Sequence, residues 1–209
     1  MLDAQLIRAA FRRLDEILVD RGIDDATALV VGGAAIALRF PQRAATFDVD
    51  AFFAPPEIRS AIERVAEEFD LQPDWLNDGV KGFLPGDDPD AEALPGSALI
   101  VRIASPRYLL AMKLASARPE DAPDAALLAS HLGIRSAQQA LDVVTAYYPP
   151  TQLLPKVRYF AQELFGTGSD GVIEVEGERG PQLLRVTTPR VWRSTHRIHR
   201  DLPDRSQFR

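Results

Sequence analysis

The chain contains no cysteine, which excludes a disulfide framework, a thiolate metal site and a cysteine nucleophile. Histidine is almost as scarce. His131, His196 and His199 stand apart, without the His/Asp or His/His spacing of a zinc site. No serine occupies a nucleophile-elbow setting. Long apolar runs are missing too: the longest uncharged apolar stretch, Ala28 to Leu38, holds two glycines and falls far short of the roughly 18 residues that a membrane-spanning helix needs. The first residues carry Asp3 and Arg8 within a helical pattern, in place of the basic patch, apolar run and small-residue cleavage site of a secretory leader. These absences point to the cytoplasm and to no membrane partner.

What is present is ordinary in bulk and uneven along the chain. With 209 residues, 46% hydrophobic and 26% charged, the composition is that of a globular protein with one large domain or a compact pair. Only three lysines stand beside twenty-one arginines, and the formal charge is −6. Residues 179–209 carry eight Arg and two Asp/Glu, whereas residues 1–178 are acidic, with a net −12. An acidic body is a poor general surface for nucleic acid, while a basic extension supplies phosphate contacts or simply forms a solvated arm.

Periodicity orders the elements. Leu6, Ile7, Phe11, Leu14, Ile17 and Leu18 make one face of a helix over Leu2 to Arg21, ended by Gly22. Ala28 to Val31 reads as a short buried strand, Ala34 to Arg39 as a short helix, and Phe47 to Phe53 as a second strand with Asp48 and Asp50 on one side and Phe47, Val49 and Ala51 on the other. Pro55-Pro56 opens a helix to Phe69. Leu71 to Gly96, broken by proline and glycine throughout, reads as a long ordered loop anchored by Trp75, Phe83 and Leu84. Its Trp75 is either a packing anchor or, beside Asn77 and Asp78, a platform for a base or ribose. A third strand, Ala98 to Ile103, leads through Ser105-Pro106 into a helix at 107–117. Helices at about 123–132, 136–147 and 151–165 follow, then weak strand patterns at 172–175 and 183–186. The expected fold class is α/β (α+β): a small mixed-sheet core at 1–104, a C-terminal helical bundle at 105–165 and an irregular basic tail at 166–209.

One stretch carries chemistry. A strand that ends in Gly32-Gly33 and enters a helix brings bare backbone N–H groups and a helix N-terminus to one point, which suits phosphate. Asp48 and Asp50, at i and i+2 on the next strand, suit a hard cation such as Mg²⁺ that bridges carboxylates to substrate phosphates. Alone, a Gly-Gly pair is a tight turn and an Asp-x-Asp pair a solvated strand face. Their order and strand placement make them one candidate site.

On these residues the sequence resembles the nucleotidyltransferase superfamily of polymerase-β-like fold, marked by a Gly-Gly or Gly-Ser turn followed by an Asp-x-Asp strand. It looks most like the AbiEii-type toxins and related bacterial nucleotidyltransferase-like proteins, through Gly32-Gly33-Ala34-Ala35-Ile36-Ala37-Leu38, through Arg43-Ala44-Ala45-Thr46-Phe47-Asp48-Val49-Asp50, and through Lys113 with Arg118-Pro119-Glu120-Asp121-Ala122-Pro123-Asp124. The resemblance covers about residues 5–135. It implies transfer of a nucleoside monophosphate from a nucleoside triphosphate (NTP) to a hydroxyl, with Mg²⁺ or Mn²⁺ held by Asp48 and Asp50. Gly32, Gly33, Arg43 and Thr46 would lie against the nucleotide, with Lys113 and Asp124 in the active site. RNA as acceptor and a small antitoxin protein as partner are implied by the toxin branch. Read from the residues alone, Lys113 is equally a snorkelling lysine on an apolar helix, and Asp121 or Asp124 equally a helix N-cap. The sequence departs from the superfamily at the third core strand, where the usual third carboxylate is missing and Arg102 is the one charged residue. The alternative is therefore a lapsed module that binds a nucleotide or a protein.

Overall fold

The computed structural model describes residues 1–41 and 45–166 with their side chains, and the backbone of 172–177 and 180–185. The chain divides into two compact units, Met1–Gly168 and Ser169–Arg209. In the second, strands β6 (Val172–Gly177) and β7 (Gly180–Arg185) pair as an antiparallel hairpin, where the sequence suggests two weak strand patterns.

The first unit is α/β, with a five-stranded mixed sheet. Its helices begin with α1 (Ala4–Asp20), whose Asp3 cap accepts the Leu6 N–H at 2.8 Å. Strand β1 (Ala26–Val30), helix α2 (Gly32–Arg39), strand β2 (Val49–Ala54), helix α3 (Arg59–Phe69) and strands β3 (Leu76–Asn77), β4 (Glu92–Pro95) and β5 (Leu99–Ile103) follow. The strand order is β3-β2-β1-β5-β4. β1 runs parallel to β5 and antiparallel to β2, β2 is parallel to β3, and β4 is antiparallel to β5.

Alternation along the strands separates two faces. Val49, Ala51 and Phe53 of β2 and Leu99, Val101 and Ile103 of β5 join the apolar faces of α1, α2 and α3 in one core. Thr27, Phe52 and Ile100 belong to the opposite set and remain exposed. The Asp15 carboxylate on α1 accepts the backbone N–H groups of Ser97, Ala98 and Leu99 at 2.7–3.0 Å, which fixes the start of β5.

Three expectations need correction. The stretch 71–96 is not a plain loop. It supplies β3 and β4, both on the sheet edges, together with a 3-10 turn at Gly79–Phe83. Strand β2 begins at Val49 and not at Phe47: Thr46 pairs with Leu2 in an isolated bridge, and the chain bends at Phe47 and Asp48 before joining the sheet. Phe47, expected on the apolar side with Val49, is consequently 83% exposed. Helix α7 (Pro155–Phe165) starts four residues later than its pattern suggests, because Leu153 and Leu154 are held extended ahead of Pro155.

The helical half, α4 (Pro106–Ser116), α5 (Ala122–His131), α6 (Ala137–Tyr147) and α7, is assembled around α4, which packs on the other three and also touches α2. Ser105 caps α4 by accepting the Tyr108 N–H, and buried Asp88 accepts both the N–H and the hydroxyl of Ser105 at 2.6 and 3.0 Å. The loop before β4 is thereby tied to the junction of sheet and bundle. No helix among the described residues is long and apolar enough to cross a membrane.

Candidate functional site

The site begins where β1 stops. Val31 donates its N–H to the Asp50 carbonyl at 2.9 Å, and Gly32 follows with φ +60°. A side chain is disfavoured there twice over. The left-handed backbone resists a Cβ, and an added Cβ would stand 3.0 Å from the Asp50 Oδ2. Gly32 thus lets the Asp50 carboxylate lie against the start of α2. Val31 offers α2 no side-chain cap, so the first-turn N–H groups of that helix retain their capacity for an anion. Gly33 is half-buried in that first turn.

Asp48 is exposed on the bend that precedes β2, and Asp50 is half-buried one residue inside the strand. Asn77 bridges them. In β3 it stands in register with Asp50, and its Nδ2 donates to the Asp48 Oδ2 at 3.2 Å. Its Oδ1 accepts the Gly79 N–H at 3.0 Å, which orients the amide with its donor end toward the carboxylates. Burial and then the neighbouring Asp48 charge push the Asp50 carboxyl above the usual carboxylate range, while the Asn77 hydrogen bond and the charges of Lys113 and Arg118 pull the other way. The net direction is upward, with burial the largest cause, so the ionised Asp50 carboxylate loses more by leaving water than its neighbours return to it.

Lys113, which the resemblance puts in the active site together with Asp124, makes its direct ion pairs away from Asp48 and Asp50. Its ammonium is bound to Asp121 at 2.6 Å and Asp124 at 3.2 Å, with side-chain exposures of 16%, 9% and 6% for the three residues. Ser116 donates its hydroxyl to the other Asp121 oxygen. Asp121 precedes α5 without capping it through its side chain, so the capping explanation fails for this residue. The cluster is a packed ionic brace between α4 and α5, and the charge of its lysine acts to lower the Asp50 carboxyl.

The remaining sequence candidates separate. Thr46 is buried and acts through its backbone, exchanging hydrogen bonds with Leu2 at 2.7 and 2.9 Å. It positions the bend that carries Asp48. Arg43 lies outside the described residues. Trp75 is buried, edge-to-face with Phe11 and donating its Nε1–H to the Ile62 carbonyl at 3.1 Å, so it is a packing anchor and offers no ring face to a base. Arg102, on the open sheet face, is held by Asp87 at 2.8 Å and by the Asp88 carbonyl. Arg118 is an addition to the sequence candidates, and Asn77, raised from sequence only beside Trp75 as a platform for a base or ribose, sits instead against Asp48. The one signal available was the polar cluster around Asn77 in an otherwise punctuated segment.

Among the described residues no group of three or more His, Cys, Asp or Glu side chains is arranged to hold a metal ion. Asp48 and Asp50, linked through Asn77, are a pair of carboxylates of the kind that suits a hard divalent cation.

A family model described as "Nucleotidyltransferase of unknown function (DUF6036)" matches residues 8–134, a span that includes every residue named above from Gly32 to Asp124. No curated protein and no solved structure matches the chain.

Proposed function

The chain belongs to this family of nucleotidyltransferases of unknown function, and from that premise we propose that it transfers a nucleoside monophosphate from an NTP to a hydroxyl acceptor at the Asp48/Asp50 site. The observation that carries the reading is the Asp50 carboxylate, half-buried beside Asp48 and laid against Gly32 at the uncapped start of α2. Asp48 and Asp50 would hold Mg²⁺ or Mn²⁺, which when bound would neutralise the triphosphate and polarise its α-phosphorus. The N–H groups at Gly32 and Gly33 would take phosphate oxygens. Asn77 would hold Asp48 and Asp50 in their relative orientation, and Arg118 with Lys113 would supply positive potential. In the transfer the acceptor oxygen bonds to the α-phosphorus, the bond from that phosphorus to the β-phosphate bridge breaks, pyrophosphate leaves, and the hydroxyl proton passes to solvent. RNA as acceptor and a small antitoxin-like protein as partner rest on the toxin resemblance alone.

A second reading, a lapsed module that binds nucleotide without turning it over, is favoured by the third core strand expected from sequence, Ala98 to Ile103, which offers Arg102 and no carboxylate. One experiment separates the two. The protein is incubated with each labelled NTP, Mg²⁺ and total RNA or protein, beside EDTA and Asp48→Asn controls. Label that enters an acceptor, with pyrophosphate released, and that disappears in both controls supports transfer. Mg²⁺-dependent nucleotide binding without label supports the lapsed module. Neither binding nor label overturns the nucleotide site itself.

A further inference from the structure

A groove of about 750 Å³ lies between α1, the end of α2 and the edge formed by β4 and β5. It is remote from the Asp48/Asp50 site in two respects. It reaches Leu99, at the start of β5, whereas Gly32 follows the far end of the parallel β1, since Ala26 pairs with Leu99 and Val30 with Ile103. Its floor is also made by Leu99 and Val101, which belong to the helix-covered set of sheet residues, while Asp50 belongs to the other set.

The floor is apolar, with Phe11, Leu38, Leu99 and Val101 all in the buried core, and the wall is cationic, with Arg8 and Arg12 one helical turn apart on α1. Residues four apart on a helix present their side chains to the same neighbourhood. Arg8 spends one donor on the Leu38 carbonyl at 3.2 Å, which holds it over the groove, and Arg12 forms no ion pair with any described carboxylate. Asp15 lines the groove as well, yet its oxygens are taken up by the N–H groups of Ser97, Ala98 and Leu99. Burial works to raise the proton affinity of Asp15, and those three backbone donors outweigh it and lower it, so this carboxylate is engaged by the backbone and leaves the guanidinium groups their hydrogen-bonding capacity. Two such groups on the same wall stand out in a body whose residues 1–178 carry a net −12.

A volume in the range of small-molecule sites, an apolar floor and a few convergent polar groups at one wall are the features of a ligand pocket. We propose that this groove binds a small organic anion, with a carboxylate or phosphate head on the Arg8 and Arg12 guanidinium groups and an apolar body on Phe11, Leu38, Leu99 and Val101. A guanidinium takes either head through charge-assisted and often bidentate hydrogen bonds, so the two heads share one chemistry.

The test uses the full chain and the fluorescent probe 8-anilinonaphthalene-1-sulfonate, an anion on an aromatic body, with its uncharged relative N-phenyl-1-naphthylamine as control. The expected result is saturable 1:1 binding of the sulfonate that weakens at least about tenfold in Arg8→Gln/Arg12→Gln, the loss appropriate to about 1.4 kcal/mol of charge-assisted bonding. Both arginines are exposed, so this variant retains its fold, which circular dichroism checks. The uncharged relative should not respond to the double substitution. Octanoate and hexyl phosphate then compete against the probe, and the better competitor names the head. The proposal is overturned by absence of saturable binding, by equal affinity in parent and double variant, by displacement with neither competitor, or by loss of probe binding when Mg²⁺ and ATP are added, since that last result would place the probe at the Asp48/Asp50 site.

Discussion

Replacing Lys113 by Met should cost this protein much of its stability, whatever it does to activity. The substitution keeps the length and apolar stem of the side chain and removes one positive charge from between Asp121 and Asp124. Both distances to Nζ are short, 2.6 and 3.2 Å, and neither carboxylate is more than 9% exposed. At an effective dielectric constant of ~20, Coulomb attraction at these separations is about 5–6 kcal/mol per pair, most of it set against the cost of desolvating three charges. Once the lysine is gone the attraction vanishes while two nearly buried like charges stay, and breaking a buried pair in this way costs about 3–5 kcal/mol. For a unit of this size each kcal/mol moves Tm by about 2–4 °C, so the expected fall is about 6–20 °C. Circular dichroism melts give the answer, and a double-mutant cycle with Asp121→Asn isolates the pair. A Tm change below about 3 °C would refute the reasoning, because it is the outcome of an exposed ion pair worth ~1 kcal/mol or less.

Two further outcomes concern the site itself. Asp50 titrates above the usual carboxylate range because of burial and then Asp48. Its folded form therefore holds a proton that the unfolded chain releases, and stability without metal should decline as pH rises through the window just above that range. Asp50→Asn should remove this decline, giving a Tm advantage over the parent that grows as pH rises through that window. It should also remove any rise in Tm that Mg²⁺ gives the parent, and a variant whose stability relative to the parent falls as pH rises would contradict the upward shift of Asp50. Gly32→Ala forces a Cβ into a φ of +60° and to 3.0 Å from Asp50 Oδ2. The backbone term alone is about 1–2 kcal/mol, so Tm should fall by about 2–8 °C and Mg²⁺-dependent nucleotide binding should weaken, as read by thermal melts and a nucleotide titration.

Much of the arrangement was legible because it is local. A strand, two glycines and a helix within ten residues, and two aspartates spaced i and i+2, are patterns whose geometry follows from neighbours in the chain. The loop misreading at 71–96 has the opposite cause. β3 is two residues long and β4 ends in Pro95, and such segments become strands only through pairing with β2 and β5. Asn77 entered the site by that pairing, and no periodicity within its own segment announces it.

By itself the sequence determined the succession of elements, the apolar stripe of α1 and the proximity of Gly32 to the helix start, because each depends on bond geometry and on which residues avoid water. Only the tertiary structure decided which charges meet. Asp15 reaches Leu99 across 84 positions and Asn77 reaches Asp48 across 29. Lys113 is claimed by Asp121 and Asp124 and not directly by the site aspartates, and the guanidinium groups of Arg8 and Arg12 come to border an apolar groove. The reason is physical. Burial and Coulomb energy depend on distance in space, and spatial distance between residues far apart in the chain is set only when the whole core has packed.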